Sequence, residues 1–184
     1  MKLIVGLGNP EPKYDNTRHN VGHHIIDSFA SSRDATLKPQ PKFKADIAEI
    51  YHGDEKVLLA KPATYYNLSG EAVREIADFY KIGPSDILVI HDELMLPFGT
   101  IRTRLGGSDA GNNGVKSVNE HMGPTTARIR VGVYNELRDR MDDANFVLGK
   151  FTADETKRLA EVAPKLHELI DSFISSRFET TTHR

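Results

Sequence analysis

The sequence predicts an α/β fold: a single domain with a mixed, mostly parallel β-sheet flanked by helices on both faces. Three observations carry that expectation. Apolar runs at residues 1–7 and 86–90 are continuous rather than alternating, as strands covered on both faces are. Helical spacing lies between them, at Val21, Ile25, Ile26 and Phe29 and again at Ala72, Val73, Ile76, Ala77, Phe79 and Tyr80. The 184 residues show no internal repeat and no break in composition, which suits one domain over 1–184.

Taken in order, residues 1–7 read as a buried strand ending in glycine, and 21–31 as the helix of a β-loop-α opening. Residues 33–44 hold Lys38, Pro39, Pro41, Lys42 and Lys44 and predict an exposed loop. Segments 45–51 and 56–60 flank His52-Gly53-Asp54-Glu55, a hairpin turn. A helix is predicted over 71–81, ended by Gly83 as C-cap and by Pro84. The run 86–90 has the character of a central strand, whereas 100–105 and 127–133 alternate apolar with basic residues, as half-exposed strands do. Thr152, with Glu155 three residues on, forms a capping box before Leu159, Val162, Leu166, Leu169, Ile170 and Phe173, the stripe of an amphipathic helix. Pro164 inside it predicts a kink or interruption. Residues 180–184 are expected to fray.

Composition narrows the chemistry. Hydrophobic residues at 39% and charged residues at 27% are globular values, and no window approaches the ~20 uncharged apolar residues of a membrane helix. With Cys at 0 there is no disulfide, thiolate nucleophile or cysteine zinc site, which leaves His, carboxylates, hydroxyls and amides. The opening Met1-Lys2-Leu3-Ile4-Val5 breaks at Gly6 and Pro10, too early for a secretory signal core, so a cytoplasmic location is expected. A net charge of −2 gives no general attraction to nucleic acid; any phosphate-binding surface must be local.

Several short motifs fail on inspection. Gly6-Leu7-Gly8-Asn9-Pro10-Glu11 carries the first two glycines of a dinucleotide fingerprint, but Glu11 opposes a pyrophosphate and Pro10 removes a backbone donor. Gly106-Gly107-Ser108-Asp109-Ala110 nearly matches a nucleophile elbow, yet Gly111 and Gly114 follow where a buried helix is required. His19 and His23 are four apart, but Asn20 stands where a zincin needs its Glu. No metal and no cofactor are expected.

The polar residues at strand ends are more informative, because ligands of open α/β sheets bind beyond the carboxyl ends of the strands. Asn9 and His19 follow the first strand, and His91-Asp92-Glu93 closes the run 86–90. A His with a carboxylate is the minimal machinery of general-base hydrolysis, although any of the 8 histidines also suits packing or the surface. Asn67 and Asn113 lie in loops leading into helices, where a carboxamide either caps the helix or reads a peptide backbone as donor and acceptor at once. Residues 100–133 carry Arg102, Arg104, Lys116, Arg128 and Arg130 against Asp109 and Glu120, a patch that suits phosphates or a solvated strand face equally.

Together, Gly6-Leu-Gly-Asn-Pro10, Tyr14-Asp-Asn-Thr-Arg-His-Asn20, Lys61-Pro-Ala-Thr-Tyr65, Asn67-Leu-Ser-Gly70, His91-Asp-Glu-Leu94, Gly111-Asn-Asn-Gly114 and Arg128-Ile-Arg130 closely resemble the bacterial-type peptidyl-tRNA hydrolase family. The resemblance implies a monomeric α/β hydrolase that cuts the ester between a peptide and the 3′ ribose of tRNA and so recycles the tRNA. It implies His19 as the base that takes a proton from water and Asp92 as the group that orients it. Asn9, Tyr14, Tyr66, Asn67 and Asn113 would bind the substrate, and Arg102, Arg104, Lys116 and Arg130 the tRNA. A catalytically inactive RNA-binding relative is the alternative; retention of His19, Asp92 and the three asparagines argues against it. The chain departs from the family pattern at Glu11 (usually glycine), Tyr66 (methionine), Met95 (aspartate), Asn112 (histidine) and Tyr134-Asn135-Glu136 (Gly-Arg-Pro). These departures are expected to reshape the peptide cleft and its lid loops without touching His19 or Asp92.

Overall fold

The computed structural model describes residues 1–184. In chain order, β1 (Lys2–Gly6) is followed by α1 (Val21–Ser32), β2 (Lys38–Gln40), β3 (Ala45–His52), β4 (Glu55–Pro62) and α2 (Ser69–Tyr80). Then come β5 (Ile87–Pro97), β6 (Ile101–Leu105), α3 (Asn113–Met122), β7 (Ala127–Tyr134), α4 (Asp143–Val147), α5 (Ala153–Ile174) and β8 (Thr182–His183). All the strands join one sheet in the order β2-β3-β4-β1-β5-β7-β6-β8. Its centre, β4-β1-β5-β7, is parallel, and the outer pairings are antiparallel.

The pleat sends alternate residues to opposite faces. Ile4, Leu88, Ile90, Ile129 and Val131 pack beneath α1 and α5, while Leu3, Val5 and Val89 pack beneath α2 and α3. Burial on both faces is why β1 and the start of β5 read as unbroken apolar runs. Helix α1 begins hard against the sheet because two glycines meet there. A Cβ on Gly6 would lie 2.2 Å from the Gly22 carbonyl oxygen, and one on Gly22 would lie 2.5 Å from that of Ile90. This approach holds the segment just before α1, with His19 in it, over the end of β1 and the middle of β5, where Asp92 lies.

The structure corrects the sequence reading in five places. Residues 33–44 are not all loop, since Lys38–Gln40 pairs with β3 as an edge strand, where Pro39 is tolerated. The left-handed residue that ends α2 is Lys81 (φ 58°), whose N–H reaches the Ala77 carbonyl; Gly83 is extended. Strand β5 does not close at His91-Asp92-Glu93 but runs through them to Pro97, paired with β7 in one register as far as Glu93 and in a shifted register at Pro97. Pro164 does not interrupt α5, which continues for 22 residues. Pro164 and Ala160 both face solvent, so the carbonyl that proline deprives of a donor is open to water. The tail is not frayed throughout: Thr182–His183 pairs with β6, and Thr181 N–H donates to Thr103 Oγ1 at 2.8 Å. The capping box of Thr152 and Glu155 forms as read.

His23, on α1, is buried in the interior, and desolvation aided by Lys61 pushes its pKa down to about 3. It is neutral in the fold and takes a proton in the unfolded chain near pH 6.5. Above that pH the group adds no pH dependence. Below it, stability is expected to fall by about 1.4 kcal/mol per pH unit until the folded-state value is reached. Urea midpoints between pH 7 and about 4 check this, with His23→Leu expected to give a shallower slope by about one proton.

Candidate active site

His19 lies in a 3-10 turn, Arg18–Asn20, between β1 and α1. Three ties hold that turn. Arg18 N–H donates to the Gly149 carbonyl at 3.0 Å, and the Arg18 guanidinium grips Glu155 of α5 through both carboxylate oxygens, at 2.7 and 3.0 Å. Asn20 and Asn9 exchange two hydrogen bonds: Asn9 N–H to Asn20 Oδ1 at 2.8 Å and Asn20 Nδ2 to the Asn9 carbonyl at 2.9 Å. The loop after β1 and the turn bearing His19 are therefore one braced unit.

The extension of β5 brings Asp92 to His19, with Nδ1 2.9 Å from Oδ2. The Asp92 side chain is 3% exposed and that of His19 18%. Burial pushes the Asp92 carboxyl up, but the adjacent His19 and the hydrogen bonds from His19 and Tyr66 outweigh it, so its pKa lies below the ordinary value. As a carboxylate Asp92 only accepts, so Nδ1 of His19 carries the proton and Nε2 is the basic nitrogen. Tyr66 stacks on the imidazole, with ring centroids 3.5 Å apart and planes at 15°. Its hydroxyl donates to Asp92 Oδ1 at 2.5 Å.

These groups open on a cleft of about 680 Å³, lined by Asn9, His19, Tyr66, Asn67, Asp92 and Asn113 together with Leu94, Met95, Val147 and Leu148. Asn9 Oδ1 accepts from Tyr66 N–H at 2.8 Å, which turns the Asn9 amide and leaves its Nδ2 as a donor. Neither Asn67 nor Asn113 is a helix cap. The N-cap of α3 is Asn112, whose Oδ1 accepts from Val115 N–H at 3.0 Å, and α2 starts after Leu68 without a side-chain cap. Both Asn67 and Asn113 are exposed. The cleft thus pairs one oriented base with three amides that can donate to, or accept from, a bound acyl group.

Other candidates are not brought here. Tyr14 is half-exposed on the turn Pro12–Tyr14, under the Lys13 ammonium, and is not on the wall of the cleft. Ser108 is exposed and also off the wall. His23 is buried, separate from the cleft that His19 lines. His91 is buried with Nδ1 2.8 Å from the Asp92 carbonyl, and burial lowers its pKa. Sequence reading missed Arg138, which lines the cleft and is pinned by Asp143 at 2.8 Å and the Leu94 carbonyl at 3.1 Å. Nothing local in the sequence signals it.

A model of the family described as peptidyl-tRNA hydrolase matches residues 3–184. The chain belongs to the peptidyl-tRNA hydrolase family. It is 44% identical over 180 residues to the peptidyl-tRNA hydrolase of Chlorobaculum parvum, covering 97% of this chain and 94% of that protein. The corresponding protein of Shouchella clausii is also 44% identical, over 97% of this chain and 96% of its own. The crystal structure of peptidyl-tRNA hydrolase from Acinetobacter baumannii superposes with a TM-score of 0.87 at 33% identity, over 96% of this chain and 90% of that one.

Against the family pattern, two of the departures prove to act together. Tyr66 and Asn112 do touch the central pair, contrary to expectation: Tyr66 contacts both His19 and Asp92, and Asn112 Nδ2 donates to the Tyr66 hydroxyl at 2.8 Å. Glu11 accepts from the exposed Tyr65 hydroxyl, at 2.7 Å, and Met95 is exposed on the cleft lip.

The basic surface lies beside the cleft, on β6, β7 and α3. Register sets Arg102 opposite Arg130 and Arg104 opposite Arg128, so the four guanidinium-bearing residues share one face. They are not equivalent. Arg128 is buried and donates to the Gly107 and Ser108 carbonyls and to Asn119, which makes it an anchor for the 106–109 loop rather than part of an open patch. Arg130 is paired with Glu93. Arg104 donates only to the neighbouring Thr103 carbonyl, and desolvation with repulsion from Arg102 and Arg130 lowers its pKa. Arg102 bonds Thr182, and Lys116 is exposed on α3.

Proposed function

We propose that this chain hydrolyses the ester joining a peptide, or an N-blocked amino acid, to the 3′ ribose of tRNA, with His19 as general base. The observation that carries the reading is the 2.9 Å contact between His19 Nδ1 and Asp92 at a cleft lined by the amides of Asn9, Asn67 and Asn113. Water beside His19 Nε2 gives up a proton as its oxygen attacks the ester carbon. The oxyanion so formed is met by amide donors, for which Asn9 Nδ2 and Asn113 are the candidates; one such donor contributes about 2.7 to 4 kcal/mol. Collapse expels the ribose 3′ oxygen, which recovers the proton from the imidazolium that Asp92 has stabilised. An ester is activated relative to an amide, so a positioned base with an amide pocket suffices without an acyl intermediate.

Arg104 suits a tRNA phosphate because it is a cation held near two others with no carboxylate of its own, and Arg102, Arg130 and Lys116 extend the positive surface around it. Arg104→Ala is expected to weaken tRNA binding whatever the peptide and to lower the salt slope by about one. Filter binding over a salt series checks this; an unchanged slope marks a solvated strand face.

The reading also takes the chain to act in the cytoplasm as a monomer. In support, no helix is long and apolar enough to cross a membrane, and the sheet ends in strands of only three and two residues, a poor template for edge pairing. The test is release of labelled N-acetyl-aminoacyl product from its tRNA. Binding without release would instead mark an inactive RNA-binding relative.

A further inference from the structure

We propose that Tyr66 is a positioning residue for the hydrolysis, its phenol fixing which Asp92 oxygen serves His19, its ring clamping the imidazole, and Asn112 fixing the direction of the phenol proton. The inference rests on the hydrolase reading above and assigns a role beyond lining the substrate cleft.

The directions of the hydrogen bonds follow from what each group can do. Asn112 Oδ1 is occupied by Val115 N–H at the start of α3, so its Nδ2 faces Tyr66 and can only donate. The phenol oxygen therefore accepts from Asn112, and its single proton is left for Asp92 Oδ1. At 2.5 Å this has the length of a charge-assisted O–H···O⁻ bond. With Oδ1 so engaged, Oδ2 is the oxygen presented to His19 Nδ1, which keeps Nε2 free of a proton. Burial, with the Asp92 charge beside it, pushes the phenol pKa well above its usual range, so Tyr66 remains a donor throughout the working pH.

The ring is held as firmly as the hydroxyl. Tyr66 is 2% exposed, and its N–H is bound by Asn9 Oδ1. Its face lies on His19 at 3.5 Å, and its edge lies against Gly114, where a Cβ would come within 2.4 Å of the ring. Rotation of the imidazole away from Asp92 is blocked on that side. A residue that only walled the cleft would need none of these directed bonds.

The test is the pH dependence of kcat and KM for N-acetyl-aminoacyl-tRNA in Tyr66→Phe, Asn112→Ser and the double variant. Tyr66→Phe keeps the ring and removes the proton donor. It is expected to lower kcat about tenfold, as loss of a hydrogen bond to a charged group does, with KM within about twofold. The acid limb should move to higher pH, because the carboxylate charge no longer shared with the phenol holds the imidazolium more strongly. Asn112→Ser preserves a good N-cap for α3 but removes the donor to Tyr66. It should lower kcat in the wild-type background and add nothing after Tyr66→Phe. If Tyr66→Phe does not fold, a lowered kcat in Asn112→Ser alone supports the proposal.

An unchanged kcat and pH limb in Tyr66→Phe overturns it, as does a rise in KM alone, or an Asn112→Ser effect that persists in full in the double variant. These outcomes leave the hydrolase reading standing so long as wild type turns over and His19→Ala does not. Wild type no faster than His19→Ala removes both.

Discussion

Replacing His19 with alanine is expected to lower single-turnover release of peptide from tRNA by about 10²- to 10⁴-fold, the range over which a positioned general base acts. KM should change little, because Asn9, Asn67, Asn113 and the basic surface remain. Nor should the fold suffer much: the imidazole is partly exposed, and its one hydrogen bond is to Asp92. Added imidazole should restore part of the rate by entering the space left between Asp92 and the Tyr66 ring. Asp92→Asn should approach the same loss by another route. An amide NH₂ facing Nδ1 would turn that nitrogen into an acceptor and put the proton on Nε2, where a base is needed. Activity that survives both substitutions would mean that the cleft uses another base.

The second large effect concerns stability. Arg18→Met is expected to cost about 3 to 5 kcal/mol, because Glu155 would be left charged in the interior without its partner. The Arg18 and Glu155 side chains are 4% and 6% exposed, and the guanidinium also donates to the Phe146 carbonyl at 3.1 Å and lies 4.4 Å from the centre of the Phe146 ring. The double variant Arg18→Met with Glu155→Gln removes the stranded charge and keeps an acceptor for the capping box. It should regain most of the loss in urea unfolding. If Arg18→Met proves nearly neutral, this pair is not what braces the His19 turn against α5.

The pair shows where sequence reading reaches its limit. Thr152 and Glu155 are legible as a helix start because capping is a local rule of fixed spacing. That Glu155 also holds Arg18, 137 residues away in the chain, depends on tertiary placement that no local pattern records. The same division runs through the fold. Continuous apolar runs disclosed β1 and the first half of β5, but the polar second half, His91-Asp92-Glu93, continues as strand because β7 supplies its partners. Thr182–His183 and Lys38–Gln40 have no strand-like composition; they form because β6 and β3 offer open edges. Lys81 takes the left-handed cap position although Gly83 is nearby, since the helix ends where its apolar stripe does.

In the cleft, Asn9, His19, Asn67, Asp92 and Asn113 were legible from their motifs, although Asp92 sits within β5 and not at its end, and they line one space. The role of Tyr66 was not. The family resemblance puts residue 66 on the wall of the substrate cleft, and only the fold brings the Tyr66 hydroxyl onto Asp92 and its ring onto His19.

His19, protonated on Nδ1 toward Asp92 and bare on Nε2, is the group that takes the proton from water. ¹⁵N NMR of the His19 ring in the active enzyme, set beside peptide release from tRNA by wild type and His19→Ala, tests this most directly, because it reads which ring nitrogen is bare. The expected result is an Nδ1–H tautomer in wild type and a rate that is lost with the imidazole. An Nε2–H tautomer, or a rate that survives loss of the imidazole, would contradict it.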